Sequence, residues 1–101
     1  RNLSMASKFE QIVCIRRNSQ PNDCRCITSV RTLSAQDYTI KDVIHLIENV
    51  DYTFYVSDPR SYVTLVKVVE REGFKYIRTA PNDTPDDNLL KLPNCENSLR
   101  Y

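Results

Sequence analysis

Four cysteines, Cys14, Cys24, Cys26 and Cys95, are the residues whose chemistry is easiest to name in this chain. Cys24 and Cys26 stand two apart in a stretch that alternates like a strand, which points both side chains the same way. Cys14 falls on the expected partner strand, and Cys95 arrives with the C-terminal tail. Four thiolates from a hairpin and a tail could surround a structural zinc ion tetrahedrally, with sulfur at about 2.3 Å. In a chain of 101 residues such a closed site would add folding energy that a small core lacks. The pair is C-x-C, however, and not the C-x2-C knuckle usual in zinc sites. Two other readings stand beside zinc. One is reduced thiols that fill core, since cysteine is among the most buried residue types. The other is two disulfides, which an even count permits and an intracellular setting disfavours.

Other chemistry is thinner. Asp83, Asp86 and Asp87 cluster in the tail, where carboxylates could do acid/base work or hold a divalent cation. Asn82-Asp83 and Asp86-Asp87-Asn88 are equally good turn formers, and Asn88 is expected to tie its side chain to backbone. Arg16, Arg17, Arg25 and Arg31 fall on the first two expected strands, with Tyr52, Tyr55, Tyr62 and Tyr76 elsewhere. A sheet bearing arginines and aromatic rings could bind single-stranded nucleic acid or a nucleotide. Solvent-facing arginines and half-buried tyrosines are the plainer reading. The single histidine, His45, would have to serve any histidine-based catalysis. One glycine, Gly73, excludes phosphate-cradling loops and dinucleotide fingerprints, which need several. No serine sits in a nucleophile-elbow motif.

The elements that must position these residues follow from periodicity. Residues 9–17 alternate with β-branched side chains and read as a strand; 18–23 is dense in turn formers; 24–32 alternates again and should pair back as a hairpin. Residues 33–38 read as a connection. Thr39 then looks like a helix N-cap with Asp42 three residues on. Ile40, Val43, Ile44, Ile47 and Val50 make one apolar stripe, with His45 on the opposite, solvated face. Residues 52–56 read as a strand, and 57–61 as a turn. Residues 62–70, rich in valine on both faces, are a candidate for the sheet centre. Residues 71–73 read as a turn and 74–79 as the last strand, with Phe74 and Tyr76 on one face. Short links favour antiparallel neighbours, so the expectation is an α+β domain, β-β-α-β-β-β, with the helix across one sheet face. The tail should close over the sheet through Leu89, Leu90 and Leu92 as a latch.

Composition sets the frame. Hydrophobic residues make up 41% and charged residues 27%, ordinary for a globular chain. Net charge is +1, which gives no overall electrostatic case for nucleic acid or an anionic membrane, although a local patch stays open. No apolar run nears the roughly 18 residues of a membrane span, and no stretch has a secretory layout, so a cytoplasmic home is expected. Arg1 to Ser4 precede Met5 and read as an expression remnant, leaving 5–101 as one domain.

Several segments resemble one family. Asp87-Asn-Leu-Leu-x-Leu-Pro-x-Cys95 is the most specific, following Tyr76-Ile-Arg78-Thr79. The others are Ile12-Val-Cys14-Ile-Arg16, Ile27-Thr28-x-Val30, Val43-Ile44-x-x-Ile47-Glu48 and Tyr52-x-Phe54-Tyr55-Val56. Together, over roughly residues 9–95, they resemble the domain of unknown function 3892, a family of small bacterial and phage proteins. The resemblance implies a single compact domain and no particular chemistry. In that family His-x-His often stands where this chain has Cys24-Arg-Cys26; since histidine ligates zinc but forms no disulfide, the exchange favours metal. The reading of the whole is a non-enzymatic binding or interaction module, stabilised by zinc if the cysteines converge, with a protein partner or a second copy as its target. The alternative is a nucleic-acid or nucleotide binder using the arginine-bearing hairpin face.

Overall fold

The computed structural model describes residues 8–18, 24–57, 63–79 and 87–95. Residues 1–7, most of the loop expected over 18–23, the turn at 58–61 with Tyr62, and Asp83 and Asp86 lie outside them. The first element of the described residues is strand β1 (Lys8–Arg17). A 3₁₀ turn (Cys24–Cys26) leads into β2 (Ile27–Thr32), followed by β3 (Asp37–Thr39) and helix α1 (Ile40–Asn49). Then come β4 (Tyr52–Ser57), β5 (Val63–Leu65), β6 (Lys67–Arg71) and β7 (Phe74–Arg78). Five strands form one sheet in the order β3-β2-β1-β4-β5, and β6 pairs with β7 in a separate ribbon. The result is an α+β domain with mainly antiparallel pairing.

β1 is the centre of the sheet, because both of its edges are used, and Ile12 and Ile15 are both fully buried on either side of a break in its alternation after Ile12. β2 pairs along one edge, from Ile12↔Thr32 to Arg17↔Ile27, with irregularities after Ile12 and Arg16. On the other edge β4 runs parallel, from Lys8↔Tyr52 to Gln11↔Tyr55. The other strand pairs are antiparallel, so the sheet is mainly antiparallel, as the short links lead one to expect. β3, α1 and β4 form a crossover that carries the chain over β2 and β1, so β4 returns in the direction of β1.

Helix α1 starts where local chemistry dictates. Asp42 N donates to Thr39 Oγ1 at 3.2 Å, and Thr39 N donates to Asp42 Oδ2 at 3.3 Å, a reciprocal capping box. Caps of this kind contribute about 1 kcal/mol. Val43 is fully buried and Ile40, Ile44 and Ile47 half-buried, as the stripe requires. Val50 departs from the stripe: it is the C-cap, exposed, and Asp51 beyond it takes φ 63° to reverse the chain into β4. The helix covers Val30 and Phe54, with Tyr38 edge-on to Phe54 at 5.7 Å between ring centroids.

Three local expectations are corrected. The second strand begins at Ile27, because Asn18 N donates to Cys26 O and closes the loop before pairing resumes at Arg17↔Ile27. Cys24 and Cys26 therefore sit in a 3₁₀ turn packed on β7. Residues 37–39 are an edge strand where a plain connection was expected, paired with residues 29–31 of β2. The valine-rich run over 62–70 is not one central strand. Val66 N donates to Phe54 O at 2.9 Å, Val66 is buried, and the chain leaves the sheet there, so β5 is its edge and β6 opens the ribbon.

That ribbon turns at Glu72 (φ 55°) and Gly73 (φ 77°), with Arg71 opposite Phe74. Two successive positive φ values define a type I′ turn, whose twist matches the flanking strands.

The tail takes the part of β1 that β4 leaves unpaired. β4 follows β1 only as far as Gln11. Beyond it, Ile15 N donates to Pro93 O at 3.1 Å and Cys95 N donates to Ile15 O at 2.8 Å, a parallel bridge centred on Asn94. Before this, residues 87–92 wind through successive i→i+3 hydrogen bonds that drive Leu89 and Leu90 into the core. Asp87, 1% exposed, organises the bend: Thr79 N, Thr79 Oγ1 and Leu89 N all donate to its carboxylate, at 2.6–2.9 Å. Asp87 is thus a structural carboxylate. Asn88 bonds Thr64 Oγ1 at 3.0 Å through its side chain, and not backbone as expected.

Candidate binding groove

The cysteines do not converge as a foursome. Cys14 on β1 and Cys95 on the tail are joined in a disulfide with Cα atoms 5.0 Å apart, which the bridge at Ile15 dictates by setting Cys95 beside Cys14. Cys24 and Cys26 are free of disulfides and buried against β7. The four-thiolate zinc site expected at Cys14, Cys24, Cys26 and Cys95 is therefore corrected: two of its sulfurs are bonded to each other and cannot serve as thiolates. Among the described residues no group of three or more His, Cys, Asp or Glu side chains is placed to hold a metal.

The arginines do not form one patch. Arg31 grips Asp37 with both branches of its guanidinium, Nε to Oδ1 at 2.8 Å and Nη2 to Oδ2 at 3.2 Å. That hydrogen bond raises the pKa of Arg31 and lowers that of Asp37 below the usual carboxylate range. Arg16 reaches Ser29 Oγ at 3.4 Å and approaches the same Asp37 at 3.8 Å. Arg17 turns the other way, with Nε 3.5 Å from Asn94 Oδ1 on the tail. Arg25 is exposed in the 3₁₀ turn. The cross-strand register explains the split: Arg16 and Arg31 share a face beside the edge strand that carries Asp37, and the irregularity after Arg16 sends Arg17 elsewhere.

A concave feature with a mixed lining lies between α1 and the β6–β7 ribbon, with a volume of about 550 Å³. Sites for small molecules fall in the range of about 300–1,000 Å³ and combine apolar walls with a few polar groups. Ile27 and Tyr76, both buried, form its floor; Ile40 and Ile44 form the helix wall; Phe74, 53% exposed, forms the opposite wall and stacks on Tyr76 at 5.9 Å. The helix stripe is wider than the sheet can cover, so the side of it carrying Ile40 and Ile44 is left to the ribbon, which meets it only partly.

Polar groups are ordered along this groove. At one end Lys75 on β7 bonds both oxygens of Glu48 on α1, at 3.0 and 3.1 Å, and the bond raises the Lys75 pKa. Glu70, opposite Lys75 in the ribbon, adds to that shift. Lys41 stands in the first turn of α1 and His45 in its middle, one helical turn on along the same ridge. Asn49 Nδ2 lies 3.3 Å from His45 Nδ1 and engages that side of the ring. His45 is solvated, as its helical position predicts, yet it belongs to this rim. Lys41, Glu48, Glu70 and Lys75 carry no signal in the sequence beyond their place on the helix and hairpin, since three separate elements bring them together.

No helix among the described residues is long and apolar enough to cross a membrane. No curated protein and no solved structure matches the chain. A family model does match, over residues 11–93, and its description is protein of unknown function (DUF3892). The match spans the sheet, the helix, the ribbon and the tail through Pro93, most of the chain. The chain belongs to this family, the one its tail and strand motifs resemble.

Proposed function

We propose that this protein is a small, non-enzymatic binding module that takes its ligand in the groove between α1 and the β6–β7 ribbon. The observation that carries the reading is the groove itself: about 550 Å³, an apolar floor, and polar side chains confined to its rim. The nucleic-acid reading has less support, because Asp37 engages two of the four arginines and Arg17 faces the tail. A thermal-shift screen of a small-molecule library on the native chain and on Phe74→Ala tests the proposal. Phe74 is half exposed, so its truncation leaves the fold standing. Compounds that bind are expected to raise the melting temperature of the native chain in proportion to ligand excess, and to lose most of that effect on Phe74→Ala. A library in which no compound acts, or in which the variant responds like the native chain, would overturn it.

A further inference from the structure

The rim of the groove has a direction, and it narrows the chemistry of the ligand. At the end lined by the last turn of α1, Glu48 and Glu70 flank Lys75, whose ammonium is already bonded to Glu48. That end has no uncommitted cation to offer and carries two carboxylates that repel an anion. At the start of the helix, Lys41 has no partner among the described residues; His45, in the middle of the helix and joined through Nδ1 to Asn49 of the last turn, leaves Nε2 for a ligand. Asp42, the carboxylate next to Lys41 in sequence, is turned to the Thr39 backbone in the capping box. Between the two ends run Ile40, Ile44, Phe74 and the Tyr76 ring, with no charge among them.

We infer that the groove binds small amphipathic anions of the carboxylate class, with the apolar body along Ile40, Ile44, Phe74 and Tyr76 and the head group at Lys41 and His45. The assignment rests on the groove being the binding site, as proposed above. An ammonium and an imidazole N–H supply charge-assisted hydrogen bonds to a carboxylate, stronger than those to a neutral hydroxyl. A cationic head would meet Lys41 and gain nothing. A neutral head would keep the apolar contacts and lose the charge-assisted ones.

Calorimetric titration with decanoate, decanol and decyltrimethylammonium, each below its micelle concentration, separates these cases. Decanoate is expected to bind about tenfold more tightly than decanol, equivalent to about 1.4 kcal/mol, and the ammonium compound most weakly. Lys41→Gln and His45→Gln, both at exposed positions, should each bring decanoate toward decanol and leave decanol unchanged. Decanol binding as tightly as decanoate, or decanoate indifferent to both substitutions, overturns the head-group assignment and leaves the groove reading intact. Amphiphiles that bind native chain and Phe74→Ala alike, or none that binds, would sink both.

Discussion

At the scale of single residues, Asp87 shows how a charged group becomes structural. Its carboxylate is buried, and three donors from Thr79 and Leu89 replace the water it has lost. Burying an ionised group is costly unless it is hydrogen-bonded, and hydrogen bonds to charged groups contribute about 1.5–3 kcal/mol each when made. Asp87→Ala leaves those donors without their acceptor and the leucine turn without its anchor. The expected loss is about 3 kcal/mol in chemical denaturation; a change below about 0.5 kcal/mol would show that the carboxylate does not hold the tail. The sequence places Asp87 in a turn-forming cluster, and the turn is real. Burial could not be read there, because it depends on Thr79, eight positions upstream. Cys24 and Cys26 mislead for a related reason. Three residues cannot distinguish period-two alternation from one turn of 3₁₀ helix, and both geometries put two cysteines inside.

Among the elements, those governed by contacts three or four residues apart are legible and those governed by pairing are not. The capping box of α1 and the apolar stripe follow from spacing alone. The break at Val66 does not: residues on either side are equally good strand formers, and what divides them is a hydrogen bond to Phe54 on another strand. The ribbon turn joins both kinds. Gly73 suits its left-handed position, but Glu72 pays a steric cost at φ 55° that asparagine largely avoids. Glu72→Asn should therefore stabilise the domain by about 0.5 kcal/mol, read as a rise in melting temperature of a few degrees. A fall would mean that Glu72 makes a contact of greater worth than its backbone conformation.

For the whole molecule, the tail is the piece that completes the sheet. It takes the edge of β1 past Gln11, buries Leu89 and Leu90, and bonds to β5 and to the end of β7. Each buried leucine contributes about 1.5–3 kcal/mol, against a typical total stability of 5–15 kcal/mol. The Cys14–Cys95 disulfide closes a sequence separation of 81 residues. In the chain-entropy picture a loop of that size stabilises by about 4.5 kcal/mol. Replacing both cysteines by serine should lower stability by that order in denaturant titration, and an unchanged midpoint would show that the leucines and Asp87 hold the tail unaided. That the tail returns to the upstream cysteines could be read from its leucines and its terminal cysteine. Which thiol it meets could not, because the pairing is set by the register of Pro93 and Cys95 on Ile15. The groove was illegible for the same reason: Ile27, α1 and the ribbon are far apart in the chain.

The groove assignment is best judged by backbone amide shifts in isotopically labelled native protein during a decanoate titration. Saturable shifts are expected at Lys41, Ile44, His45, Phe74 and Tyr76, with Arg16, Arg31 and the tail unmoved. Shifts centred on the arginine-bearing strands, or none that saturate, would contradict it.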